Sequence, residues 1–318
     1  MRYAARKTGT MLLTMVLVSL LTFFAFSLLS GDAAERMLGT EATPERLEAL
    51  RAELGLDQPL PVRYGQWLWG FVRGDFGTSY QYAVPVRGLI AERLGNTFAL
   101  TAMAFVLIVL TALPLGVVCG KYAGGRFDRV MTVVNQLVMT LPPFFTGILL
   151  SYVFGLVLNW FVSGAFPALS DGVGTYLGYL FFPALAVALP RAAMTLRLLR
   201  GCILDEAKRD YVRTSMSRGR SRGEILYRHV LKNTMVPLLA FLASTAGELV
   251  AGSIVVEQVF SVPGLGRLLL SAISNRDLPV VQAVVVLIAL WVMVCNLIGD
   301  LLSHRIDPRI SFDGEGAK

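Results

Sequence analysis

The sequence predicts an all-α membrane protein: six transmembrane helices joined on the inner side by a basic, helical loop. Three observations carry this. Of 318 residues, 55% are hydrophobic and only 16% charged, where soluble domains average about 25% charged. The apolar residues gather into charge-free runs of membrane length. Lys and Arg crowd onto alternate connections between those runs.

The charge-free runs are Thr10–Leu29, Thr97–Gly120, Met131–Ser170, Gly172–Pro190, Thr234–Gly247 and Leu278–Gly299. A spanning helix needs about 20 mostly apolar residues, because the hydrocarbon core is about 30 Å thick. All but the fifth run are long enough alone, and the fifth continues past Glu248 to Val256. The spans are placed at 10–30, 97–120, 132–160, 176–198, 236–256 and 280–302. The first run follows Arg2, Arg6 and Lys7 as a signal peptide would, but it exceeds the usual h-region and ends without a clear A-x-A site. It is read as a retained helix. Pro142-Pro143 lies inside the third span and is expected to kink or interrupt it.

Orientation follows from the cations. With the N-terminus inside, 20 of the 29 Lys and Arg residues fall on inner segments, counting Arg191 and Arg197 toward the inner end of the fourth span, as short cytoplasmic loops require. Both termini are then cytoplasmic. The net charge of +7 sits mainly on those inner loops. A lipid bilayer or an acidic protein accounts for it, and no nucleic-acid partner is needed.

Four segments follow. Residues 1–30 form an inner tip and the first span, and 31–95 an extracytoplasmic stretch. Residues 96–304 form a five-helix core containing the loop 203–233, and 305–318 a cytoplasmic tail. Within 31–95, Thr43-Pro44-Glu45 is a helix start, with Thr as N-cap and Pro at the first position. Leu47, Leu50 and Leu54 follow at helical spacing, and Pro59 and Pro61 prevent continuation. Tyr64, Trp67, Trp69 and Phe71 form an aromatic cluster suited to a membrane interface.

The basic inner loop reads as two short amphipathic helices. The first begins near Asp210 and stops at Gly219. Ser221-Arg222-Gly223-Glu224 is a capping box that opens the second. A loop of this kind often lies on lipid. The order of its residues argues for more. Asp210-Tyr211-Val212-Arg213-Thr214-Ser215 with Gly219, then Arg228-His229 with Asn233 and Pro237, resembles the coupling loop of permeases in ATP-driven, binding-protein-dependent importers. More narrowly, the chain resembles the dipeptide/oligopeptide/nickel permease family.

The resemblance covers nearly the whole chain. Thr43–Pro59, Arg73–Ser79, Leu141–Gly147, Glu257–Arg267, Arg276–Gln282 and Asp307–Arg309 match family motifs in order. Arg213-Thr214-Ser215 departs from the Glu-Ala-Ala that opens the loop in the wider superfamily. The resemblance implies the type I ABC importer permease fold. It also implies a homologous second permease, two ATP-binding cassette ATPases and an extracytoplasmic solute-binding protein as partners. Asp210, Tyr211, Arg213, Thr214, Gly219, Ile225, Leu226, His229 and Asn233 would serve ATPase coupling, with Tyr211, Ile225 and Leu226 as apolar anchors. Glu257, Pro263, Gly264, Gly266, Arg267 and Asp277 form the external loop motif. Peptides are the favoured cargo, with nickel chelates as a related class.

Enzymatic residues are missing from the sequence. It has no G-x-x-x-x-G-K-[ST], so hydrolysis is assigned to other subunits, and it has no H-E-x-x-H. Neither His229 nor His304 lies deep in a span. No catalytic residue, metal site or cofactor is expected. The alternative function, a self-contained secondary transporter, calls for an inverted repeat and several intramembrane polar sites. The sequence offers one deep acid, Glu248. It is either a pathway residue, along with Pro142 and Pro143, or a buried structural acid.

Overall fold

A computed structural model describes residues 2–29, 33–38, 43–53, 55–162 and 164–306. Leu54 and the motif Asp307–Arg309, with the rest of the tail, lie outside the described residues. In chain order the helices are α1 (Arg2–Leu29), α2 (Ala33–Leu38), α3 (Pro44–Glu53), α4 (Leu60–Val72), α5 (Val86–Lys121), α6 (Arg126–Thr140) and α7 (Pro143–Leu150). Then follow α8 (Val173–Glu206), α9 (Asp210–Ser217), α10 (Arg222–Ile225), α11 (Leu231–Val259), α12 (Leu265–Ser274) and α13 (Leu278–Ile306). Among the described residues the only extended pairing is an isolated bridge between Thr78 and Pro85.

Among the described residues, five helical stretches are long and apolar enough to cross a membrane: Arg6–Ser27, Val86–Lys121, Val173–Glu206, Arg222–Val259 and Leu278–Arg305. The third expected span is a bent pair, Arg126–Thr140 and Pro143–Val157, with 100° between its arms. Leu141 is extended, at φ −78° and ψ 123°, and Pro142 likewise at ψ 143°. A residue before proline is driven out of the α region, so Leu141 and Pro142 both leave it and the helix stops. Pro143 then opens α7, where its missing N–H is harmless. Several helices outrun their apolar segments. α5 begins at Val86 rather than 97, and α8 runs to Glu206 rather than 198. Hydropathy marks immersion, whereas the hydrogen-bonded ladder continues into water wherever propensity permits.

The chain packs as two compact units, Met1–Thr97 with Pro263–Trp291, and Phe98–Val262 with Val292–Lys318. This division follows packing, whereas the four expected segments follow the chain's course through a membrane. In the first unit α3 starts as expected, with Arg46 N–H donating to Thr43 Oγ1 at 3.4 Å. The prolines after it do more than stop a helix, because Pro59 and Pro61 also start α4. Tyr64 and Trp67 on α4 meet Phe23 on α1 at ring-centroid separations of 5.5 and 5.8 Å. Ser19 and Tyr64 share a hydrogen bond of 2.8 Å.

The hydrophobic core of the second unit gathers Leu100, Ile108, Leu180, Val187, Leu199 and Ile203, among others, from α5 and α8, with Leu238, Leu249 and Val256 from α11. α5 approaches α8 where Gly116 and Gly120 face it. A Cβ there would lie 2.9 Å from Leu199 Cδ2 and 2.8 Å from Ile203 Cγ2. Small residues at this spacing permit close helix approach.

Candidate functional site

The loop between α8 and α11 is built from its caps. α9 starts after the extended Arg209, with Asp210 in its first turn where the helix dipole favours an acid. It ends in a Schellman turn. Arg220 N–H donates to Ser215 O at 3.3 Å and Gly219 N–H to Met216 O at 2.9 Å. Gly219 sits at φ +82°, the left-handed region such a turn requires. Ser221 then caps α10, accepting from Glu224 N–H at 3.2 Å. The two-helix loop with its glycine turn is present. The second helix is not free-standing, because Arg222–Val259 is one stretch. It passes through a wide π-type turn at Leu226–Val230.

The loop has two faces. Val212, Ile225, Leu226 and Val230 are buried in the chain's own core. Ile225 and Leu226, expected as anchors for a partner, are therefore internal packing residues that orient the loop. The amphipathic stripe points them inward because their own core is the nearest apolar surface. The outer face carries Arg213, Arg218, Arg220 and Arg222, with Thr214 also exposed. Met216 and Tyr227 are its exposed apolar groups, 41% and 59% accessible. Thr214 Oγ1 turns back to Asp210 O at 3.0 Å. Arg220 Nη1 meets His229 Nε2 at 2.8 Å.

A polar knot at the end of α8 holds both arms of the loop. Glu206 Oε1 accepts from Tyr211 Oη at 2.9 Å and from Asn233 Nδ2 at 2.8 Å. The three residues belong to α8, α9 and α11. Burial pushes the Tyr211 phenol up to about 12, and the Glu206 carboxylate adds to the shift. Tyr211 and Asn233 were expected here for another purpose. Glu206 escapes a reading of the sequence, since an acid in a basic loop looks like a solvated charge until its partners are known.

Deeper in the same unit are two ion pairs. Asp128, at the start of α6, is only 2% exposed and takes Arg200 of α8 in a fork, with Nε–Oδ1 2.6 Å and Nη2–Oδ2 2.7 Å. Asp128 Oδ2 also accepts from Gly124 N–H at 2.8 Å. Glu248 on α11 pairs with Arg191 on α8, and Ser244 Oγ donates to Glu248 Oε1 at 3.2 Å. Glu248 is thus a paired, half-exposed charge in this chain, not a buried one. Pro142 and Pro143 make the 100° break.

The external motif is divided between the units. Glu257 closes the second, fully buried in the last turns of α11, with Ser253 Oγ at 3.3 Å. In the first unit, Asn96 Nδ2 donates to Pro263 O at 2.9 Å, and Gly264 caps α12. Gly266 is buried and Arg267 exposed on that helix. Asp277, 1% exposed, gathers the 79–81 turn. It accepts from Ser79 Oγ, from Tyr80 N–H at 3.0 Å and from Gln81 N–H at 3.3 Å. Burial raises the Tyr80 phenol above its ordinary value; the Arg63 charge opposes this and the Asp277 charge adds to it.

Among the described residues no three His, Cys, Asp or Glu side chains gather as a metal site. What the arrangement offers is mechanical: a capped, basic two-helix element tied rigidly to two membrane-length helices.

Comparison with known proteins agrees in extent and kind. The family described as binding-protein-dependent transport system inner membrane component matches residues 112–312, and its N-terminal counterpart matches residues 1–101. The chain is 34% identical to a probable peptide ABC transporter permease protein of Sinorhizobium fredii, over 98% of this chain and 99% of that one. It is 37% identical to a putative peptide transport system permease protein of Brucella abortus, over 94% and 95%. It is also 34% identical to a glutathione transport system permease protein of Pectobacterium atrosepticum, over 98% and 99%.

Proposed function

Because this chain belongs to the family of binding-protein-dependent transport system inner membrane components, we propose that it forms half of the translocation path of an ATP-driven importer of di- or oligopeptides. A homologous permease supplies the other half, two ATPases supply the energy, and an extracytoplasmic binding protein delivers the cargo. The observation that carries this reading is the loop between α8 and α11. An importer must turn closure of its ATPases into movement of membrane helices, which needs a stiff contact joined to those helices. α9 and α10 are capped at the Gly219 turn and knotted at Glu206 to α8 and α11. The names of the relatives favour peptides over nickel chelates.

In this reading the exposed arginines meet an acidic rim on the ATPase, with Met216 and Tyr227 in place of Ile225 and Leu226 as the apolar contacts. Arg213→Glu is expected to weaken co-purification of the ATPases roughly fivefold, the size of effect a rim charge has, and the defect should change with salt. A loop that merely rests on lipid would leave co-purification at the wild-type level.

In this reading both termini and the loop are cytoplasmic and residues 31–95 lie outside, which the bias of Lys and Arg toward the inner segments supports. In a variant lacking the native cysteines, Glu48→Cys should react with a membrane-impermeant maleimide added to intact cells. Glu48 is exposed on α3. Labelling only after the cells are opened would invert the topology and put the coupling loop on the wrong side.

A further inference from the structure

The Arg191–Glu248 pair is an unusual feature for two membrane-length helices. Arg191 lies near the middle of α8 and Glu248 well inside α11. Their side chains remain 29% and 44% exposed in this chain. They do not stand alone. On α11 the residues Ser244, Glu248, Ala251, Val255 and Gln258 recur at helical spacing, and each is exposed or half-exposed. The opposite face, with Thr245, Leu249 and Val256, is buried. A charge held against lipid at mid-membrane costs about 2.5–3.5 kcal/mol on insertion scales. A stripe that carries a charge, a hydroxyl and an amide, with the Arg191 charge of α8 beside it, therefore faces water or protein.

We propose that Arg191 and Glu248 form an exchangeable charge clamp in the wall of the translocation path, where Glu248 takes the ammonium end and Arg191 the carboxylate end of a zwitterionic peptide. The inference rests on the permease reading above. The warrant is charge conservation. Without cargo the two side chains neutralise each other on adjacent helices. A zwitterion carries the same two charges, so opening one ion pair to make two adds no net charge at membrane depth, where unpaired charge is expensive. Ser244 keeps hold of Glu248 Oε1 while Oε2, the oxygen facing Arg191, changes partner. A cargo with one charge would leave either Arg191 or Glu248 unpaired, so the clamp favours zwitterions over simple anions or cations.

The test uses the complete complex, with both permeases, the ATPases and the binding protein, in proteoliposomes. Tri-L-alanine is the probe, and the native cysteines of this chain are replaced. Wild-type complex is assayed first. No ATP-dependent uptake of tri-L-alanine would reject the peptide reading itself, and the clamp with it. With wild-type uptake established, Glu248→Cys should react with a methanethiosulfonate carrying a sulfonate faster than with one carrying trimethylammonium, because Arg191 is its neighbour. Arg191→Cys should show the opposite order, because Glu248 remains. The ratio of the two rates should differ at least tenfold between the variants, and tri-L-alanine should slow labelling in both. Glu248→Gln and Arg191→Gln should each reduce uptake at least tenfold at unchanged complex yield. Failure of either cysteine to react in the assembled complex would mean that the stripe is closed against the second permease, and would overturn the clamp. So would labelling that tri-L-alanine leaves unchanged, or wild-type uptake in both Gln variants.

Discussion

Replacing Gly219 by valine is expected to lower ATP-driven uptake about tenfold or more, and stimulated ATP hydrolysis with it, while the permease still inserts. Gly219 holds φ +82°, and a Cβ added there meets nothing within 4 Å. The penalty is therefore confined to the backbone. It is about 1–2 kcal/mol for an ordinary L-residue in the left-handed region, and more for a β-branched one. Each 1.4 kcal/mol is about tenfold in population, so the seated turn loses about that factor against its alternatives. The effects should rank Asn smallest, Ala intermediate and Val largest, because Asn tolerates this region best. Uptake and ATPase assays across the three variants check the ranking. Equal activity in all three would mean that the turn has no part in coupling.

The second large effect is expected on assembly. Asp128→Ala leaves the Arg200 guanidinium without the carboxylate it grips in a fork, and leaves Gly124 N–H without its acceptor. Removing one partner of a buried pair costs about 3–5 kcal/mol. The lower end applies here, since Arg200 is 29% exposed and keeps some access to solvent. The yield of folded complex and its thermal midpoint in detergent should both fall. Asp128→Asn should lose less, because an amide oxygen still accepts. Arg200→Lys should also weaken the complex, since an ammonium lacks the planar fork. A midpoint unchanged in Asp128→Ala would show that α6 is held to α8 by packing alone.

The spans were legible because membrane immersion writes itself as composition, and the break in the third span because two prolines leave few options. The caps of the loop were legible for a similar reason: Ser221 and Gly219 act on their own neighbours, and local chemistry is written locally. What stayed hidden needed a distant partner. Asp128 and Arg200 are 72 residues apart, and either alone passes for a charge on a basic loop. Glu206 draws its meaning from Asn233, 27 residues on. Ile225 and Leu226 show the same gap from the other side. Their apolar character was plain, but which surface they cover is decided by the fold. The deep acid is visible in the sequence at Glu248, whereas Arg191 reads there as one more cation leading into the basic loop until the fold sets the two side by side.

The wide turn at Leu226–Val230 sets an angle. Each residue of an ordinary helix advances about 100° around the axis. A turn that closes its hydrogen bonds one residue later takes in an extra residue. Everything on the N-terminal side is thereby turned by roughly that amount relative to an unbroken helix. α10, which follows the Gly219 turn, and the stripe containing Glu248 lie on opposite sides of this turn. Their relative azimuth is thus a built-in offset, as the teeth at two ends of a shaft are timed by how it was keyed. Shortening the stretch by one residue would leave every cap and every ion pair chemically possible, yet would turn the loop's arginines away from the direction that the helix above now assigns them.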